Sequence, residues 1–476
     1  MEVHPLEFLF HPRSVAIAGA SPDLHSQSHD YLDELQQFGY SGDVYLVNPR
    51  YQEIDGLPCY PSLREIPGPV DYVISCVPAS ALLALVDDAI AKGVRALHMY
   101  TARLSESGLP ERQALEAEIA QRAKQAGLRL IGPNCMGIYY PQGGLTFRHA
   151  LPRDPGTVGV LSQSGGNSAD LEYRGVGRGL RFSKMVSYGN AEDINEADLM
   201  DYFADDPQTR VIGAYIEGPK DGKRFFQALR RAAATKPVAI VKGGATATGQ
   251  RAISTHTASL AGQDRVWDAL CRQTGAVRVT NLEELADLLI AFSMLPPCSG
   301  NRVAVLGGGG GYSVYTSDAA ERAGLVVPPL PQAIKQRLKE VVPQVWSLIS
   351  NPVDHSVLTD PSTYLSVAGL VAGHPSTDLV LFNLDPAWYM DTPRGIPRVL
   401  SSVEGLLKIA RECGKPAAVA VVYSDSLESW RWETTAEVQR RCVAAGLPVF
   451  LSIDRAVKAL SYYVGYYRSV ERRRET

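Results

Sequence analysis

Short, wholly apolar runs alternate along this chain with longer stretches of helical periodicity. The runs at 14–20, 44–48, 72–77, 96–100 and 129–131 predict a first set of strands. A second set is predicted at 158–162, 183–188, 211–217, 238–241 and 277–279, and a third at 302–306, 379–384, 417–422 and 449–451. These runs are apolar on both faces, as parallel strands covered by helices must be. Strand and helix alternate throughout, which predicts an α/β fold with parallel, doubly wound sheets. Breaker-rich stretches at 141–156 and 296–300 predict boundaries, giving three consecutive domains at 1–145, 146–297 and 298–476.

Composition narrows the function classes. Apolar residues make up 45% and charged residues 21% of the 476 positions, in the ordinary range for globular proteins. A net charge of −4 argues against a nucleic-acid partner. The basic stretch at 468–474 is broken by Glu471 and reads as a solvated helix end. No apolar run reaches the ~18 residues of a membrane span, and the N-terminus lacks the basic-then-apolar pattern of a signal peptide. The seven cysteines are scattered and never spaced as Cys-x-x-Cys, which predicts reduced thiols in the cytoplasm and no structural zinc. The remaining histidines form no metal-ligand pattern.

The candidate chemistry centres on the segment 249–262, where His256 stands among Ser254, Thr255, Thr257, Ser259 and Gly262. Small neighbours leave an imidazole approachable, as a histidine that accepts and hands on a group needs to be. A surface loop with an incidental histidine is the plainer alternative. Glu217 ends the run 211–217, and strand ends are where such sheets place ligand groups. It is positioned to accept a hydrogen bond from one imidazole nitrogen, leaving the other nucleophilic; a surface turn carboxylate is the plainer alternative. Asp193 and Glu196 are expected to be mainly structural, as supporting or helix-capping groups.

Three glycine- or serine-rich turns follow strands: Gly19-Ala20-Ser21, Ser164-Gly165-Gly166 and the five glycines 307–311. Each could bring backbone N–H groups and a helix N-terminus to a phosphate. Tight packing alone is the competing explanation, especially for the glycine run. The strict Gly-x-Gly-x-x-Gly fingerprint is absent, and the second strand ends in Asn48-Pro49-Arg50 rather than in an acidic residue. A cation there suits a phosphorylated nucleotide such as coenzyme A better than NAD.

Taken together these motifs resemble the NDP-forming acyl-CoA synthetases, the ADP-forming acetate–CoA ligase branch of the succinyl-CoA synthetase superfamily. The matching stretches are 11–21, 47–50, 66–71, 130–137 (Leu130-Ile131-Gly132-Pro133-Asn134-Cys135-Met136-Gly137), 162–165, the histidine segment 254–262 and 351–354. The resemblance implies a Rossmann-like CoA-binding domain followed by two flavodoxin-like domains. It implies that His256 is phosphorylated, that Glu217 orients it, and that Ser164, Gly165, Gly166 and Gly309, Gly310, Gly311 cradle the phosphate. Coenzyme A would be held by Gly19, Ala20, Ser21, Asn48, Arg50, Val77, Pro78 and Asn134.

The same resemblance implies an alpha-type subunit acting on a small carboxylic acid or its acyl-CoA. No ATP-grasp domain follows the third unit, so the ADP/ATP site, with Mg2+, is expected on a separate ATP-grasp beta-type subunit. Three places depart from the family pattern: Pro22 to Ser28 replace the usual glycines, Tyr100-Thr101-Ala102-Arg103 replaces Ser-Ala-Gly-Phe, and Ala258 stands for glycine. A CoA-binding regulatory protein without catalysis is the rival from another class, and an NAD-dependent dehydrogenase is a weaker third.

Overall fold

The computed structural model describes residues 3–256, 264–358, 360–385, 392–422 and 427–475, with the side chains of 252–256 left aside. The chain divides into two compact units, 1–176 with 181–285, and 177–180 with 286–476.

The first unit holds two sheets. Strands β1 (Ser14–Ala18), β2 (Asp43–Val47), β3 (Glu53–Ile54), β4 (Leu57–Tyr60), β5 (Tyr72–Ser75), β6 (Ala96–Met99) and β7 (Arg129–Ile131) form the first, in the order β3-β4-β2-β1-β5-β6-β7. Every pair is parallel except the β3–β4 hairpin. β1 sits in the middle and is buried along its whole length, as its unbroken apolar run requires. Helices α1 (Gln27–Phe38), α2 (Leu82–Lys92) and α3 (Pro110–Ala126) connect these strands.

The second sheet contains β8 (Gly137–Tyr139), β9 (Val158–Ser162), β10 (Phe182–Ser187), β11 (Val211–Ile216), β12 (Val238–Lys242) and β13 (Val277–Val279), in the order β13-β12-β11-β9-β10-β8. β8 pairs antiparallel with β10, so a short segment beyond the fifth predicted strand closes the edge of the next sheet. α4 (Gly165–Gly175), α5 (Glu196–Asp205), α6 (Gly222–Thr235), α7 (Ala247–His256), α8 (Asp264–Thr274) and α9 (Leu282–Met294) complete this part of the chain. Asp193 ties the two sheets together, accepting from Arg129 Nε at 2.8 Å and from the Leu130 N–H at 2.8 Å. Its expected structural role is thereby accounted for.

The second unit is built on β14 (Val303–Gly307), β15 (Leu379–Leu384), β16 (Ala417–Val421) and β17 (Val449–Phe450), parallel and paired in sequence order. α10 (Gly310–Arg322), α11 (Gln332–Val341), α12 (Pro361–Gly373), α13 (Ile396–Glu412), α14 (Ser429–Ala444) and α15 (Ile453–Glu475) surround it. One core joins Val380 and Phe382 of β15 to Val367 and Val371 of α12 and Val403 and Leu406 of α13. Asp287, 2% exposed, accepts from both Arg178 and Arg455, so its buried charge is compensated twice.

Among the described residues no helix is long and apolar enough to cross a membrane, and no cluster of ligating side chains could hold a metal. All seven cysteines are free thiols.

Candidate active site

The C-terminal ends of β9, β11 and β12 converge on Glu217. This residue follows β11 directly and is only 4% exposed. Gln163, one residue past β9 and 1% exposed, fixes it in place. The Gln163 side-chain oxygen accepts from the N–H groups of Glu217 at 2.8 Å and Gly218 at 3.2 Å. Its own N–H donates to the Tyr215 carbonyl at 3.0 Å. Two backbone donors that would otherwise be buried without partners are thus satisfied by one side chain.

Tyr215 and Tyr188 flank the carboxylate. Burial, reinforced by the negative charge of Glu217, pushes the Tyr215 hydroxyl up to about 12. Burial also raises Tyr188, with Glu196 and Glu217 adding to the effect. Glu196 is fully buried, and its carboxyl is raised by that burial. One of its oxygens accepts from the Lys220 N–H at 2.9 Å, pinning the loop that carries Glu217. Its expected structural role takes that form, while the capping of α5 falls to Asn195.

Gly243 closes the other side. A Cβ there would lie 2.5 Å from the Tyr215 hydroxyl oxygen and 3.1 Å from Glu217 Cγ. A side chain there would have to displace the end of the Tyr215 ring where the chain leaves β12 beside the carboxylate. From Gly243 the chain runs into α7, whose last residue is His256. The His256 side chain, and the remainder of the histidine segment at 257–263, lie outside the described residues. Lys242, 5% exposed, is held below the ordinary lysine range chiefly by burial, with Asp264 and Glu217 opposing the shift.

The second turn leads directly into a helix. Ser164 caps α4 by accepting from the Asn167 N–H at 3.3 Å, and Gly166 is exposed at the helix start. A Cβ on Gly165 would lie 2.7 Å from Met136 Cγ, whereas one on Gly166 would meet no described atom within 4 Å.

The glycine run splits into two kinds of residue. Gly307 and Gly308 have φ of 101° and 76°. A Cβ on Gly307 would lie 2.4 Å from the Asn383 carbonyl oxygen, so these two glycines answer to backbone geometry. Gly309, Gly310 and Gly311 have no such reason: only Asp354 comes within 4 Å, at 3.4 Å from a Cβ on Gly310. Gly309 caps α10 without a side-chain hydrogen bond, and Gly310 and Gly311 are exposed. An uncapped helix N-terminus of bare backbone suits an anion.

The first turn differs from expectation. The N–H groups of Gly19 and Ala20 both donate to the Val47 carbonyl, at 2.8 and 3.2 Å, so neither points at a ligand. α1 begins only at Gln27, capped by Ser26, because the segment that opens with Pro22 separates turn from helix. The helix N-terminus therefore does not meet this turn. Asn48 likewise spends its amide locally, donating to the Ala20 carbonyl at 2.7 Å and accepting from the Arg50 N–H at 3.0 Å.

The same strand ends are nevertheless brought together. Gly19, with φ of 83°, packs on the Cys76–Val77 backbone, and Thr101 links onward, donating to the Val77 carbonyl at 2.7 Å and accepting from the Asn134 N–H at 3.0 Å. Ser21 and Val77 are half-buried, and Pro78 and the cation of Arg50 are exposed at this edge. The turn's N–H groups are thus occupied within the protein, while the Arg50 cation is exposed.

Comparison with known proteins settles the family. Residues 13–141 match a CoA binding domain, and residues 155–292 match a succinyl-CoA ligase-like flavodoxin domain. The alpha subunit of acetate–CoA ligase [ADP-forming] II from Pyrococcus furiosus is 33% identical over 414 residues, covering 86% of this chain and 88% of that subunit. The chain belongs to the ADP-forming acyl-CoA synthetase family. Acetate–CoA ligase [ADP-forming] I of Archaeoglobus fulgidus is also 33% identical over 98% of this chain, which spans 64% of that longer protein. Among solved structures, acetyl-coenzyme A synthetase 1 of Ca. Korarchaeum cryptofilum, in complex with phosphate and ADP, superposes with a TM-score of 0.83 at 30% identity, over the full length of both chains.

Motif reasoning missed Gln163, Tyr215, Tyr188 and Gly243 as parts of this site. Gln163 lies inside a quoted motif and Tyr215 inside a predicted strand, but only folding reveals what they touch.

Proposed function

We propose that the chain is the alpha-type subunit of an ADP-forming acyl-CoA synthetase. It interconverts acyl-CoA, ADP and phosphate with a carboxylic acid, CoA and ATP. The observation that carries this reading is the buried Glu217, clamped by Gln163 and packed against the glycine that leads into the helix ending at His256. A regulatory CoA binder has no use for such a carboxylate.

Coenzyme A takes the edge of the first sheet, at Gly19, Ala20, Ser21, Asn48, Arg50, Val77, Pro78 and Asn134, with Arg50 supplying the cation. A phosphate oxygen attacks the thioester carbonyl. The carbon–sulfur bond breaks, the thiol leaves with a proton, and an acyl phosphate forms. An imidazole nitrogen of His256 then attacks phosphorus, and the acid leaves as its carboxylate. Glu217 accepts the hydrogen bond of the other ring nitrogen and balances the positive phosphohistidine.

The helix start at Ser164, Gly165 and Gly166 offers a phosphoryl group a dipole that favours negative charge, and the helix start at Gly309, Gly310 and Gly311 does so in its own unit. A terminal oxygen of ADP finally displaces the histidine and gives ATP, on an ATP-grasp beta-type partner that also holds Mg2+. The reverse sequence activates acids. Domain limits at 1–145, 146–297 and 298–476 fit this division into CoA, phosphohistidine and partner-like parts, and free thiols fit a cytoplasmic enzyme.

The test is phosphoryl transfer onto the purified chain from radiolabelled phosphate and a panel of acyl-CoAs. Acid-labile, alkali-stable label that His256→Ala abolishes is the expected result. No label with any thioester, nor with ATP and the partner subunit, removes the synthetase reading.

A further inference from the structure

The C-terminal end of β12 carries a cation with no counter-ion of its own. Lys242 is the last residue of that strand and is 5% exposed. It pairs in register with Ile216, so it stands beside Glu217 at the same end of the sheet. Its Nζ donates to the carbonyl of Gly243. The Gly243 N–H donates to the Ile216 carbonyl at 2.9 Å, and a Cβ on this glycine would lie 3.1 Å from Glu217 Cγ. Ammonium, glycine and carboxylate therefore form one cluster.

A buried charge is costly unless it is paired. Yet no carboxylate among the described residues forms an ion pair with Lys242, and the Gly243 carbonyl is its one hydrogen-bond acceptor there. Two of the three N–H bonds of the ammonium are left for an anion. The charged groups that face it are Asp264 at the start of α8, Glu217 at the end of β11 and Arg278 on β13. Asp264 is taken by Arg278, which also holds Asp268 at 2.5 Å. Glu217 is the acceptor for the imidazole in the proposed relay, and it also accepts from the protonated Tyr215 hydroxyl at 3.4 Å. The Trp267 ring, centred 5.8 Å from Nζ, covers the ammonium on the α8 side. Lys220, in the loop after Glu217, points elsewhere: its Nζ lies 3.5 Å from Glu192.

We propose that Lys242 is the charge-compensating residue of phosphoryl transfer, its buried ammonium offsetting the negative charge that arrives beside Glu217 when His256 is phosphorylated. The inference rests on the synthetase reading. In that step a ring nitrogen forms a bond to phosphorus, the bond from phosphorus to the acyl oxygen breaks, and the acid leaves with the electron pair as its carboxylate. The acyl phosphate brings two negative charges. The acid carries one away, and the phosphorylated imidazolium keeps one. Glu217 answers the charge of the ring, and Lys242 answers that of the phosphoryl oxygens. Loss of the ammonium therefore penalises the phosphoenzyme more than the free enzyme.

The same charge makes the step sensitive to pH. Burial holds Lys242 below the ordinary lysine range, with Asp264 and Glu217 opposing the shift and Arg278 adding to it. A phosphoryl group favours the protonated form, so the phosphoenzyme binds this proton more tightly than the free enzyme does. Its formation is favoured while the lysine is protonated and weakens as pH rises through the lowered lysine range.

The experiment labels the full chain from radiolabelled inorganic phosphate with acetyl-, butyryl- and phenylacetyl-CoA, then adds the matching acid and CoA to reverse the reaction. At fixed phosphate and thioester, the product of acid and CoA concentrations that removes half of the label measures the phosphoenzyme equilibrium. This measure does not depend on how much of a preparation is folded. Lys242→Met should lower it by about tenfold or more, the effect of a unit charge within ~12 Å at an effective dielectric of about 20. Lys242→Arg keeps the charge and should restore it to within about threefold of the wild type. As pH rises from about 8 toward the ordinary lysine value of about 10.4, the wild-type measure should fall relative to that of Lys242→Met, which records the titrations of phosphate and thiol alone. An equilibrium unchanged in Lys242→Met, the same pH dependence in both proteins, or an equal loss in Lys242→Met and Lys242→Arg overturns the charge assignment and leaves Lys242 as a strap for Gly243. Absence of label on the wild-type chain with all three thioesters, and with ATP and the partner subunit, overturns the synthetase reading, and this inference with it.

Discussion

Gln163 shows how much a single side chain can organise. Its one oxygen holds the backbone on both sides of the Glu217–Gly218 peptide. Gln163→Leu keeps the volume and removes the acceptor, so two buried N–H groups lose their partner. Destabilisation of about 1–3 kcal/mol is expected, with a larger loss in phosphoenzyme formation because the carboxylate is no longer held; urea titration and the labelling assay measure the two separately. Glu34 on α1 makes a prediction about pH. It is 3% exposed, one oxygen has no partner, and burial with Asp30 nearby pushes its carboxyl up to about 8. A raised folded-state value means its contribution to stability is fully present below about 4.5, the unfolded value, and is lost as pH rises through about 8. Stability to urea should therefore fall across that window, and Glu34→Gln should flatten the fall. Neither effect could be read from the sequence. Glu217 was legible because a polar residue ends an apolar run, but the environments of Gln163 and Glu34 are made by residues distant along the chain.

At the scale of elements, every predicted strand is present, with ends shifted by at most two residues. Runs apolar on both faces have no other stable home than a covered parallel sheet. What the pattern missed were strands too short to show periodicity: the β3–β4 hairpin around Asp55 and Gly56, and the antiparallel β8. Asp-Gly is itself a hairpin signal, and here it lies between runs of only two and four residues. The glycine run yields a sharper lesson, since composition alone could not separate backbone need from ligand need. Gly307→Ala sets a Cβ at positive φ against the Asn383 carbonyl and should cost about 2–4 kcal/mol. Gly311→Ala stands in open space in the first turn of α10, so it should hold or raise stability by up to ~1 kcal/mol. It should also weaken binding of inorganic phosphate by crowding the helix start. Thermal unfolding and phosphate titration of the two variants tell these roles apart. Equal destabilisation by both would mean that the whole run serves the fold.

The whole molecule divides the reaction unequally. The chain aligns over 88% of an alpha subunit but over only 64% of a longer acetate–CoA ligase. On the proposed reading, CoA, acyl phosphate and histidine chemistry would fall to Arg50 at the first sheet, Glu217 with His256 at the second, and the glycine turn of the second unit. These steps require no nucleotide, because inorganic phosphate is the attacking group and the histidine is the acceptor. The isolated chain should therefore exchange phosphate into acyl phosphate and label itself once, with label stable until an acceptor arrives. Adding ADP alone should leave the phosphoenzyme intact, whereas ADP with Mg2+ and an ATP-grasp beta-type subunit should discharge it as ATP. Single-turnover chase of the labelled chain measures this directly. Discharge by ADP in the absence of any partner would place the nucleotide site on this chain and refute the division. Persistence of the label with partner present would show that the partner recognises a different acceptor, because the phosphoryl bond to imidazole is itself reactive enough to transfer once an acceptor oxygen is held in line with it.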